Sequence, residues 1–184
     1  PAWVVPVLGL AGLWLALWPG RMRFVGVLAG AIAILGWSLS ERPGLLIDRD
    51  GALVGVLAPE GRMLSRPRGA GFVATRWLES DGDNSTQEDA AARAGMQPVP
   101  GGVQFPYAGQ DWVHLTGRRG EDALSQHCVA GVTVIINVRV SGSPGDCRLL
   151  DARALARTGA IAVTSAGDFI TAQGLIGLRP WSAP

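Results

Sequence analysis

Two uncharged apolar runs, residues 2–18 and 24–40, open this chain of 184 residues, and only the pentapeptide PGRMR separates them. Each run has 17 residues, the short end of what crosses a bilayer core as a helix. Pro19-Gly20 breaks a helix, and Arg21 and Arg23 cannot sit in hydrocarbon without a large cost. The pattern predicts a membrane helical hairpin with its turn at one membrane surface. Trp3, Trp18 and Trp37 fall near the run ends, where indole rings meet headgroups. Gly26 and Gly30 form a small-xxx-small face that permits close helix contact, or reflect the ordinary tolerance of Gly in membrane helices. A secretory signal peptide would need a basic start, one apolar run and a cleavage site. Here no basic residue precedes the first run, and a second run follows. The positive-inside tendency places Arg21 and Arg23 in the cytoplasm, so everything after Pro43 is expected on the outer side.

Charge is scarce for a reason visible in this layout. Charged residues make up 17% of the chain, against about 25% in an average soluble domain. Only Arg21 and Arg23 are charged among the first 40 residues. From residue 45 onward, 13 Arg face 14 Asp plus Glu, a balance that argues against a basic domain coating nucleic acid. All 16 basic residues are Arg, a bias that GC-rich coding explains without any binding site. The layout divides the chain into a transmembrane hairpin, 1–43, and a C-terminal domain, 44–184, long enough for a core of its own. A start at Pro1 rather than Met leads us to expect the tail of a longer protein, with the hairpin closing a polytopic membrane region.

The C-terminal part reads as a mixed α/β domain of short strands and helices. Apolar segments at 45–48 and 52–57 flank Arg49-Asp50-Gly51, a hairpin signal. Pro59-Glu60-Gly61 marks a second turn. Residues 72–78 suggest a short helix with Trp77 inward, and Ser85-Thr-Gln-Glu88 suggests a capping box opening a helix that runs to Ala94. Residues 96–110, rich in Pro and Gly, read as loop. Strands are expected at 111–116 and 132–138, with a helical turn at 121–126 between them. Asp151 can cap a helix over 152–157 that stops at Gly159, and two last strands fit 160–164 and 169–172.

Candidate chemistry is sparse. Asp81-Gly-Asp83-Asn84-Ser85 has the look of a calcium loop, but Thr86 and Ala92 occupy the places where such a loop needs Gly and Glu. A solvated loop leading into a capped helix fits better. Ser141-Gly-Ser-Pro-Gly145 lacks nucleophile-elbow spacing and reads as a turn. His114 sits in a strand pattern. His127 precedes Cys128, yet chain neighbours rarely face each other as a nucleophile and base. Two His and two Cys fit no zinc spacing, so no catalytic residue, metal or cofactor is assigned. Cys128 and Cys147 either close one disulfide loop, worth about 3 kcal/mol in the chain-entropy model, or remain two half-buried thiols, according to compartment. Arg62, Arg66 and Arg68 are the one local basic cluster, read as a solvated face or as a phosphate contact.

The order of blocks carries a further signal. A hydrophobic hairpin is followed by RPGLLIDRDGALVGVLAPEGRMLSRPRGAGFVATRWLESDGD, then by HCVAGVTVIINVRVSGSPGDCRLLDARALARTGAIAVT, then by a terminal LRPW. Nearly the whole chain resembles the C-terminal end of the ComEC family of DNA-internalisation competence proteins, in the form common among alphaproteobacteria. The resemblance implies a multi-pass inner-membrane protein that passes one strand of transforming DNA into the cytoplasm. This segment would then be a non-catalytic accessory domain on the periplasmic side. The implied partners are membrane lipid, single-stranded DNA in the parent channel and other competence proteins. Longer family members end in a metallo-β-lactamase-like domain with a His-x-His-x-Asp-His type motif, and neither His here stands in such a context. The alternative reading is a membrane-anchored structural or interaction domain unrelated to DNA. From the residues alone, Cys128 and Cys147 are expected to be joined if the domain faces an oxidising compartment.

Overall fold

In the computed structural model the described residues are 2–39, 42–142 and 144–177. Ser40 and Glu41, Ser143 of the expected 141–145 turn, and the terminal LRPW block lie outside them. The chain divides into two units, Pro1–Arg42 and Pro43–Pro184.

The first unit is a pair of apolar helices, α1 (Val4–Leu17) and α2 (Arg23–Ser38), joined through one 3-10 turn at Gly20–Met22. Pro6 is tolerated because it lies in the first turn of α1, where its missing N–H has no helical partner to lose. Pro19 forces the preceding Trp18 into an extended conformation and stops α1. Gly20 then takes a φ of 80°, which reverses the chain. The helices touch through small residues. Ala11, Gly26 and Ala33 are buried between them. A Cβ at Gly26 would lie 2.8 Å from the Ala11 carbonyl oxygen, and the Trp3 ring fills the space beside Gly36. The outward faces are apolar and open: Val5, Leu10, Leu28, Ile34 and Leu35 are all exposed. Gly20–Ser38 gives 19 helical residues, long and apolar enough to cross a membrane, whereas Val4–Leu17 falls short of that length. Of the two expected spans, one therefore has the required length.

The second unit is a mixed α/β domain built on two five-stranded sheets. The first sheet is antiparallel, in the order β10 (Phe169–Thr171), β9 (Ile161–Val163), β1 (Leu45–Ile47), β2 (Val54–Ala58), β3 (Gly61–Leu64). The second runs β4 (Gln97–Val99), β5 (Gly102–Tyr107), β6 (Gln110–Leu115), β7 (Val132–Ile136), β8 (Arg148–Leu150). Within it β6, β7 and β8 are parallel. Parallel neighbours require crossovers, and α5 (Gly117–His127) supplies the one between β6 and β7. The central strands are buried on both faces, as parallel strands usually are. Trp112 and Ile135 point toward the first sheet and join Leu45, Ile47, Val54 and Val163 in a shared core. Val113, Leu115, Val134 and Ile136 point the other way and pack under Leu124 of α5. On the far side of the first sheet, α3 (Gly71–Asp81) and α4 (Gln87–Ala91) cover Leu53 and Leu64. Two short helices, α6 (Ala152–Thr158) and α7 (Ala172–Ile176), complete the unit.

Several expectations shift. The capping box is Thr86 with Asp89, one residue later than expected. The Ser85 hydroxyl is instead taken by Arg93, and its amide by Asp83. α4 ends at Ala91 rather than Ala94. Residues 96–110 are not loop: they form β4, a turn at Gly101 and β5. Their prolines are compatible with strands because Pro98 lies on the edge strand, and Pro106 lies beyond the stretch that β4 pairs. α3 runs three residues past the expected end, to Asp81. Asp151 does cap α6, accepting from the Ala154 amide at 2.8 Å.

Candidate functional site

The polar groups of the domain gather where α3 and the following loop meet β3. Strand alternation turns Met63 toward the shared core and Arg62 toward the helices. Gly55, on the neighbouring strand, makes the room: a Cβ there would sit 2.9 Å from the Arg62 stem and 3.1 Å from Trp77. Arg62 is only 2% exposed. Its Nε donates to Asp81 Oδ2 at 2.5 Å, and its terminal nitrogen donates to Asp81 Oδ1 at 3.3 Å, a bidentate pair. Remaining N–H groups go to the carbonyls of Pro43, Gly44 and Gly55. Arg62 thus fastens the first residues of the domain to the end of α3.

Arg93 repeats the arrangement beside it. Its guanidinium donates to Asp83 Oδ2 at 2.7 Å, to the Arg62 carbonyl at 2.7 Å and to Ser85 Oγ at 2.8 Å. The Arg93 hydrogen bond, followed by those from Ser85, holds the Asp83 carboxyl well below the usual carboxylate range. Asp83 in turn raises Arg93. Gly61, at φ 113°, has no Cβ because one would press on both Arg93 and Asp83. The acidic loop at 81–85 is therefore neutralised by two guanidinium groups, with Asp81 and Asp83 turned to different partners.

The basic cluster expected from sequence is not assembled. Arg62 is buried and ion-paired, because β3 points it inward; this corrects its assignment as a phosphate contact. Arg66 is half-buried and donates to the Ala52 carbonyl at 3.4 Å. Arg68 alone lies fully in solvent, 3.7 Å from Glu88.

The chain matches no family model, no curated protein and no solved structure.

His114 and the two cysteines also have structural partners. His114 is buried between the sheets, with Nε2 2.9 Å from the Gly51 carbonyl. That acceptor assigns the proton to Nε2. Burial pushes the imidazole down to about 4, aided by the Arg66 charge and opposed by the Gly51 hydrogen bond. The Asp-Gly turn it holds is itself packed: a Cβ at Gly51 would stand 2.8 Å from Leu155. Asp48 opens that turn, and burial, then the neighbouring Asp50 charge, raise its carboxyl above the ordinary value. Cys128 and Cys147 are disulfide-bonded, with Cα atoms 4.7 Å apart, and tie the end of α5 to the start of β8. A sulfur held in that bond cannot serve His127 as a nucleophile. His127 Nε2 is buried and makes no hydrogen bond among the described residues.

A cavity of about 180 Å³ lies under the β2–β3 turn, lined by Ala58, Pro59, Glu60, Met63, Arg93 and Ala94. Arg93 is already committed to Asp83 and Ser85, so the lining offers one carboxylate and no nucleophile. No group of three or more His, Cys, Asp or Glu side chains able to hold a metal occurs among the described residues. Sequence reasoning had the arginines and the aspartates but not their pairing. Strand alternation across Arg62-Met63-Leu64 was the available signal.

Proposed function

We propose that this chain is the membrane-anchored C-terminal portion of a DNA-internalisation competence protein, a non-catalytic accessory domain carried on the outer side of the inner membrane. The observation that carries the reading is a disulfide-closed domain placed directly after an apolar helix pair. Disulfides persist in oxidising compartments, so this order suits a hairpin that delivers the domain outside. The blocks that resemble the ComEC family supply the DNA-uptake part of the reading. Of the three clustered arginines, exposed Arg68 and half-buried Arg66 are left for weak, sequence-independent contact with a DNA backbone once Arg62 is spent on Asp81.

Deleting the parent gene in a naturally competent host, and assaying DNase-protected internal DNA, tests this directly. Loss of uptake is expected, with a smaller, salt-sensitive loss when Arg66 and Arg68 are replaced by Gln. Unchanged uptake after deletion would leave the second reading, a membrane-anchored structural domain. That reading is favoured by the internal pairing of Arg62 and Arg93.

A further inference from the structure

The turn between α1 and α2 concentrates charge that no acidic side chain balances among the described residues of the helix pair. Arg21 and Arg23 are both exposed, and no ion pair reaches either among the described residues. The sequence has no acidic residue before Glu41, and the 16 residues of α2, about 24 Å of helix, intervene. Around the two arginines the surface is apolar and aromatic. Trp18 is 44% exposed, Met22 54% and Phe24 64%. The frame beneath them is fixed: Trp14 stacks on Trp18 with ring centroids 4.3 Å apart, and its indole N–H donates to the Met22 carbonyl at 2.9 Å.

We infer that this turn binds the headgroups of anionic phospholipids, the two guanidinium groups pairing with phosphates while Trp18, Met22 and Phe24 lie against the upper acyl chains. The inference rests on the membrane reading above and names the lipid class for its turn. Guanidinium forks match phosphate oxygens in geometry and charge. An indole belongs at the same depth, with its ring in the apolar boundary and its N–H near the polar layer. A free phosphate ion could use the arginines but not the exposed apolar rim. A lipid uses both.

The full chain, reconstituted in bilayers of phosphatidylcholine doped with phosphatidylglycerol, is probed with spin-labelled versions of each lipid. The readout is the motionally restricted fraction seen by electron paramagnetic resonance. The wild type is expected to hold the labelled phosphatidylglycerol in preference to the labelled phosphatidylcholine, by up to about fivefold for each arginine in contact. The preference should fall to parity in the double variant Arg21→Gln with Arg23→Gln, and at high salt. Restriction of both lipids equally in the wild type, or a preference unchanged in the variant, would overturn the headgroup assignment while leaving the hairpin in the bilayer. No restricted lipid of either kind would remove the membrane reading itself, and the headgroup site with it.

Discussion

Arg62 and Arg93 in the domain, and Arg21 and Arg23 between the helices, are the same side chain under opposite conditions. In the domain each guanidinium meets its own aspartate and two or more further acceptors, and Arg62 lies almost wholly out of water. At the helix turn no carboxylate is within reach in the described residues, and the surroundings are exposed indole, thioether and phenyl groups. The apolar residues divide the same way. Those of the domain close on each other between two sheets, whereas those of α1 and α2 face outward. One region satisfies most of its polar and apolar groups internally. The other leaves both kinds for its surroundings to satisfy. This division of labour is the one the proposed membrane reading requires, with one region folding in water and the other against lipid.

The largest effect is expected from breaking the internal half. Replacing Arg62 by Met leaves Asp81 buried without its cation, which costs on the order of 3–5 kcal/mol. Chemical denaturation of the variant should show the domain losing most of its stability, while lipid insertion of the helix pair is unchanged. Removing both charges, as Arg62→Met with Asp81→Leu, should recover much of the loss. A double variant as unstable as the single one would contradict the pairing. Next in size, replacing Cys128 and Cys147 by Ser opens a loop of sequence separation 19 and is expected to lower stability by about 3 kcal/mol. Denaturation of the wild type with and without reductant should give the same difference.

The pH dependence sharpens the comparison further. His114 takes its proton near 6.5 when unfolded but only at about 4 in the folded domain. Between those values the unfolded chain binds more protons, so stability should fall as pH drops from 6.5 toward 4 and level off below. The full loss is roughly 3 kcal/mol or less. In His114→Gln the slope attributable to this group should vanish. A slope unchanged in the variant would mean that another group carries it.

Legibility in the sequence followed how local the cause was. The helix pair was readable because Pro19-Gly20 and two arginines interrupt an otherwise uncharged stretch, and each of those acts within a residue or two of itself. The β1–β2 turn and the α6 cap were readable for the same reason. Residues 96–110 were misread because Pro in a strand is acceptable only at positions whose N–H faces no partner, and that depends on where β4 stops. β8 was invisible, since three residues starting at Arg148 have no periodicity to detect, and their strand exists only through pairing with β7. The site residues divide similarly. Arg62 looked like one of three surface arginines because its partner lies 19 positions away on α3, and nothing near Arg62 in sequence announces Asp81.

The proposed membrane reading requires the helix turn and the domain to lie on opposite sides of one membrane, with α2 crossing between them. Impermeant maleimide labelling of Met22→Cys in spheroplasts and in inverted vesicles tests this most directly, because Met22 is an exposed turn residue and the two native cysteines are bonded. The new thiol should react only in inverted vesicles, and Cys128 and Cys147 should react in spheroplasts only after reduction. Reaction of Met22→Cys in intact spheroplasts, or free thiols at 128 and 147 without reductant, would contradict the account.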